Sequence, residues 1–191
     1  MALTSSERRY GVVAMTLHWL IALAIVFNFS LGLYMHYLPK TKPFTIELFQ
    51  FHKSVGLTVL GLSVLRLFWR LINPVPPLPA GLPNWERVAA RGSHFLLYFF
   101  MIAIPLAGWS MVSVSPLEIP TFWFRQFQVP HLPFPASFHT EAWADGLLVV
   151  HAYLAFAMAG LFVLHVMAAL RHHLILKNDV LRRMVPGTRV S

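Results

Sequence analysis

The 191 residues contain no cysteine, which excludes disulfides, thiolate metal sites and thiol nucleophiles. Charge is scarce as well. Asp, Glu, Lys and Arg make up 12% of the chain and only seven residues are acidic, whereas a soluble domain carries about 25%. In their place stand 57% hydrophobic residues and a mean hydropathy of +0.62. Such a chain cannot coat its surface with charge, so lipid is part of its solvent. Its length suits one small bundle rather than several domains, and it has no internal repeat or low-complexity tract.

The formal charge of +8 does not indicate nucleic acid, because the basic residues flank apolar runs instead of alternating with aromatics. Those runs cover about Val12 to Leu38, Leu48 to Leu71, Ser93 to Val114, and Trp143 to Leu170. Each reaches the ~20 residues that cross a bilayer. An all-α integral membrane four-helix bundle is expected, one domain over 1–191, with helices at about 12–38, 48–71, 93–114 and 143–176. Pro105 falls inside the third run, where a kinked membrane helix is expected. The first run is too long for a signal peptide, contains His18 and Asn28, and lacks a small-residue cleavage site. With the N-terminus inside, Arg8, Arg9, Arg66, Arg70, Arg87, Arg91, Arg171, Lys177, Arg182, Arg183 and Arg189 lie on the inner side, against Lys40, Lys42, Lys53 and Arg125 outside. Both termini are therefore expected in the cytoplasm. The long loop of about 115–142 then lies outside, with Phe122, Trp123 and Phe124 expected in an interfacial aromatic belt; a substrate lid is the other reading.

Ionisable residues within apolar runs are functional candidates, and several of the ten histidines fall there. His151 and His165 are 14 residues apart, about 40° short of four full turns and about 21 Å along the axis. They share one face at two depths, as ligands of two stacked haems would. His18, early in an outward helix, is level with His165; His52, early in an inward helix, is level with His151. Two bis-histidine pairs follow, His18 with His165 and His52 with His151. Hydrogen-bonded core histidines are the plainer alternative. Without cysteine, covalent attachment through C-x-x-C-H is excluded, so any haem is of b type. His36 and His94 are rivals for the outer and inner pairs. His36 is read as lying at the aqueous boundary beside Tyr34 and Tyr37, His94 as a partner for a propionate or a quinone. His172 and His173 suit headgroup contact or a quinone pocket; His131 and His139 receive no role. Arg66 and Arg70 share a face and could pair haem propionates, although positive-inside anchoring explains them equally well. Gly32, Gly56, Gly61, Gly108 and Gly160 would let a porphyrin or a neighbouring helix approach closely.

Arg9-Tyr10-Gly11 with His18-Trp19, His52-Lys53-Ser54-Val55-Gly56, Arg66-Leu67-Phe68-Trp69-Arg70, Gly92-Ser93-His94 with Tyr98, the His151/His165 pair, and His172-His173 ahead of 177–184 occur in an order that resembles the bacterial di-haem cytochrome b561 family. The resemblance covers nearly the whole chain. It implies a multi-pass protein of the bacterial inner membrane with two non-covalent b haems, its ligands falling on His18, His52, His151 and His165. Some members are similar to superoxide oxidases, which pass an electron from superoxide through the haems to ubiquinone. Lys53, beside His52 and with Lys40 and Lys42 nearby, could draw an anionic donor to an exposed haem edge. The expected activity is one-electron transfer between an outer donor, a small anion or a protein, and membrane quinone. The alternative is a membrane-anchor subunit that serves a partner enzyme without catalysis of its own. A histidine-lined metal transporter is disfavoured, because the runs hold almost no Asp or Glu.

Overall fold

The computed structural model describes residues 2–6, 9–39, 42–79 and 81–188. Four helices account for most of them: α1 (Val12–His36), α2 (Pro43–Ile72), α3 (Asn84–Val114) and α4 (Glu141–Leu174). All four are long and apolar enough to cross a membrane. The chain is an all-α bundle with four candidate membrane-spanning helices.

Local chemistry sets the helix ends. Pro43 occupies the first turn of α2, where its fixed φ favours helix and its missing N–H leaves no bond unmade. Thr140 caps α4 by accepting a hydrogen bond from the Trp143 amide at 3.3 Å. Glu141 opens that helix, while Arg171, His172 and His173 close it, in keeping with the helix dipole. α3 continues through Pro105. Two helices begin earlier than hydropathy suggests, α2 at Pro43 rather than 48 and α3 at Asn84 rather than 93. The additional turns are too polar to register as membrane-spanning, and tertiary contacts hold them. Glu86, in the first turn of α3, is buried and paired with Arg171 of α4 at 3.1 Å.

The buried core is small: Leu17 and Ile21 of α1, Val55 and Val59 of α2, Met101 of α3 and Met158 of α4. Large apolar side chains such as Leu23, Phe68, Phe95, Phe156 and Leu164 face outward, as they do where lipid replaces water around a bundle. The close seams run between α1 and α2, α2 and α3, and α3 and α4. Helix α4 stands off from α1 and α2.

Both chain ends meet at one end of the bundle, here the terminal end. The Arg9 guanidinium donates to the carbonyls of Val185 (2.9 Å) and Thr188 (2.7 Å), and the Trp19 indole donates to that of Met184 (2.8 Å). Gly11 sits where the N-terminal segment folds back over α1. A Cβ there would collide with the backbone of Leu3 and Thr4, so only glycine fits.

The opposite end carries an antiparallel hairpin of β1 (Thr121–Trp123) and β2 (Phe127–Val129). Its turn places Phe124 (φ 44°) and Arg125 (φ 61°) in the left-handed region, a strain of order 1 kcal/mol each that only surrounding contacts hold in place. Ser54 of α2 supplies several of these, donating to the Phe122 carbonyl (2.9 Å) and accepting from the Phe124 amide (3.0 Å). The Trp123 indole donates to Thr58 (3.1 Å) and the Phe124 ring meets Phe51 at 5.6 Å. The aromatic cluster thus folds onto α2 instead of forming a free interfacial belt, because the Ser54 and Thr58 hydroxyls satisfy hairpin groups that lipid could not.

Candidate functional site

Each helix carries two residues fourteen positions apart: His18 and Gly32 on α1, His52 and Arg66 on α2, His94 and Gly108 on α3, His151 and His165 on α4. That spacing keeps both members on one face and separates them by about 21 Å. Because successive helices run in opposite directions, the eight positions form two tiers. The terminal tier holds His18, Arg66, His94 and His165, all of which line one cleft. The hairpin tier holds Gly32, His52, Gly108 and His151.

The rings of His18 and His165 lie 6.3 Å apart between centroids, those of His52 and His151 6.2 Å apart. A first-row metal binds an imidazole nitrogen at about 2 Å, so two imidazoles on opposite sides of one ion hold their ring centres about 6 Å apart. Both pairs have that separation. The two helix pairs involved, α1 with α4 and α2 with α4, are among those that do not pack closely. The histidines thus face each other across open space, which suits a flat group held between them. Nδ1 of His18 and of His52 is buried without a hydrogen-bond partner.

Glycines and a carbonyl position the hairpin-tier rings. A Cβ on Gly32 would stand 3.1 Å from Cε1 of His52, and one on Gly108 would stand 3.1 Å from both Cε1 and Nδ1 of His151. His151 Nδ1 lies 2.9 Å from the Ile104 carbonyl. A carbonyl only accepts, so Nδ1 carries the proton and Nε2 keeps its lone pair for a metal. Ile104 lies one turn before Gly108, and the missing side chain at 108 opens the way to that carbonyl. These two glycines act as clearance for the imidazole rings. By contrast, Gly61 and Gly160 have no protein atom within 4 Å of a Cβ, and Gly56 makes ordinary contact with Asn28, so no close helix approach requires glycine at those three positions.

His94 is the third imidazole of the terminal tier. It meets His165 at 5.4 Å, against 6.3 Å for His18, which is ring contact rather than the spacing of a shared ion. Its Nδ1 is tied to the Ala90 carbonyl at 2.7 Å, leaving Nε2 to face the cleft. Arg66 and Arg70 both stand over the Tyr98 ring, 5.3 and 5.9 Å from its centroid, within cation–π range. Arg66 lines the cleft and also a second recess of about 340 Å³, shared with Arg70, Tyr10 and Trp69.

The remaining expected residues lie apart from the tiers. Lys53 is half-buried and donates to the Pro120 carbonyl at 3.3 Å, so its ammonium points to the hairpin. Lys40, Arg8 and Arg189 lie outside the described residues. His172 is hydrogen-bonded to the Asn178 side chain at 2.8 Å and stands 3.8 Å from Glu86. His36 is exposed against Tyr37. Sequence reading marked Gly32 and Gly108 as points of close approach without identifying the histidine rings as what approaches, and missed the Ile104 carbonyl. The signal for both glycines was the fourteen-residue spacing from a buried histidine on the same helix.

Comparison with known proteins bears on the family. Residues 9–187 match the family model described as prokaryotic cytochrome b561. The chain is 36% identical over 186 residues to cytochrome b561 homolog 2 of Escherichia coli (strain K12), covering 97% of this chain and 95% of that protein. It is 28% identical over 184 residues to the probable superoxide oxidase CybB of Yersinia pestis, covering 96% and 99%. It is also 28% identical over 186 residues to a cytochrome b562 of Cereibacter sphaeroides, covering 95% and 98%.

Proposed function

The chain belongs to the prokaryotic cytochrome b561 family, and on that footing we propose that it holds one b haem in each tier and passes single electrons between a donor at the hairpin end and quinone in the membrane. As a member of that family it is a membrane electron-transfer cytochrome. The observation that carries it is the pair of histidine couples, each at the spacing of two ligands sharing one ion, on opposite tiers of one bundle. His18 and His165 ligate at the terminal tier, His52 and His151 at the hairpin tier.

Bound haem supplies the one-electron chemistry. The chain fixes the imidazoles that would hold the group, the tautomer of His151 and the distance between tiers. Ile104 and Gly108 set the orientation of His151, and Gly32 sets that of His52. Arg66 and Arg70 are placed to meet haem propionates or an acceptor-oxygen ligand at the terminal end, with His94 beside them. No nucleophile or acid–base pair is required for the transfer. Arg9, Arg171, Arg182 and Arg183 gather at the terminal end, which supports a cytoplasmic location for both termini.

Superoxide is the donor that the similarity to a probable superoxide oxidase favours, and Lys53 with Lys42 at the hairpin end supports an anion there. The Pro120 contact gives Lys53 a second role in holding the hairpin. The test is stopped-flow mixing of the oxidised protein with a superoxide-generating system, followed by addition of a short-chain ubiquinone. Reduction of the haems that superoxide dismutase abolishes, then reoxidation by quinone, is expected. Haems that superoxide leaves oxidised, in a chain that copurifies with a redox partner, would instead identify an anchor subunit.

A further inference from the structure

The two tiers match in their facing imidazoles and differ in charge. On α2 the register position that His52 fills at the hairpin tier is filled at the terminal tier by Arg66, which lines the cleft between His18 and His165. Arg70 stands one turn further along, and Tyr98 lies beneath both guanidinium groups. Among the described residues, no Asp or Glu lines that cleft. Glu86, two turns before His94 on α3, is engaged by Arg171. The hairpin tier has glycine on α1 and α3. Lys53, one residue from His52, points away to Pro120, and Glu47 and Arg125 pair with each other at 2.8 Å.

We propose that Arg66 makes the terminal-tier haem the higher-potential member of the pair, so that electrons entering at the hairpin tier settle at the terminal tier. This rests on the reading above of one haem per tier. Reduction removes one positive charge from an iron site. A fixed cation beside it therefore favours the reduced form, and does so strongly where the surroundings are apolar and poorly screened. If the guanidinium pairs with a propionate, the direction is unchanged, because it offsets a negative charge that would favour ferric iron. The step is the passage of one electron from the hairpin-tier iron, which is oxidised, to the terminal-tier iron, which is reduced. No bond forms or breaks and no proton moves.

Spectroelectrochemical titration of the purified holoprotein tests this, with the wild type alongside His52→Ala, His18→Ala, Arg66→Gln and Arg66→Lys. The wild type is expected to show two midpoint potentials. The protein lacking the hairpin-tier haem (His52→Ala) titrates at the higher value, and the protein lacking the terminal-tier haem (His18→Ala) at the lower. Arg66→Gln lowers the higher midpoint and leaves the lower one in place, whereas Arg66→Lys keeps both. Equal shifts of both midpoints in Arg66→Gln, or none, would overturn the proposal. So would a His52→Ala protein that titrates at or below His18→Ala, an ordering that decides the matter even if Arg66→Gln fails to load its terminal-tier haem. Retention of both haems in His52→Ala would remove the tier assignment itself, and this inference with it.

Discussion

Substituting Gly108 by alanine adds one methyl group to a site that has no room for it. The new Cβ would sit 3.1 Å from both Cε1 and Nδ1 of His151, so the imidazole must withdraw by a few tenths of an ångström. Its 2.9 Å hydrogen bond to the Ile104 carbonyl then lengthens or tilts. Weakening that bond removes about 0.5–1.5 kcal/mol, and forcing the ring off its rotamer adds about 0.5–1.5 kcal/mol. The sum, about 1–3 kcal/mol, corresponds to roughly 10- to 100-fold weaker haem binding at the hairpin tier, the range found when groups that orient metal ligands are removed. Gly160→Ala is the matched control, with nothing within 4 Å of its new Cβ; a helical glycine replaced by alanine gains about 0.5–1 kcal/mol of helix stability. The assay is pyridine haemochrome content per chain after purification through graded detergent washes. Gly108→Ala should fall toward one haem per chain while Gly160→Ala stays at two. If both variants keep the wild-type content, Gly108 has no part in positioning a ligand.

Further outcomes follow from the same geometry. His151→Ala should lose the hairpin-tier haem and keep the terminal-tier one, and His165→Ala the reverse; both haems persisting in His151→Ala would refute the His52/His151 pair. Ser54→Ala removes a hydroxyl that accepts from the Phe124 amide and whose single proton is shared between the Gln50 and Phe122 carbonyls, and should destabilise the protein by about 1–3 kcal/mol with faster proteolysis near Phe124. A hairpin as resistant as wild type would contradict its tethering to α2. Arg9→Ala should free the C-terminal segment held through Val185 and Thr188, seen as earlier carboxypeptidase trimming; unchanged trimming would refute that anchor. High salt, or Lys53→Ala, should slow haem reduction by superoxide, and an unaffected rate would remove Lys53 from donor attraction.

Much of the site could be read from sequence because membrane geometry is restrictive. A histidine in an apolar helix has few benign explanations, and alternating helix direction converts sequence position into depth. That logic paired His18 with His165 and His52 with His151, and both pairs face each other in the structure. It set His94 aside as an axial partner, and the 5.4 Å ring contact with His165 is shorter than the spacing of two imidazoles on opposite sides of one ion. Hydropathy misplaced the starts of α2 and α3, since polar turns outside the hydrocarbon are held by contacts such as Glu86 with Arg171 that no local window records. The hairpin was illegible for a related reason. Its two positive-φ residues are Phe124 and Arg125 rather than glycine or asparagine, so the turn lacks its usual signature and depends on Ser54 across the bundle. Lys53 was placed by adjacency to His52, but neighbours on a helix point about 100° apart, and its ammonium turned toward Pro120.

The central claim is two b haems per chain, each between two histidines on opposite tiers. The most direct test is a reduced-minus-oxidised visible spectrum of the purified chain with pyridine haemochrome quantitation. The account predicts two b haems per chain with low-spin, bis-histidine bands; one haem per chain, or none, would contradict it.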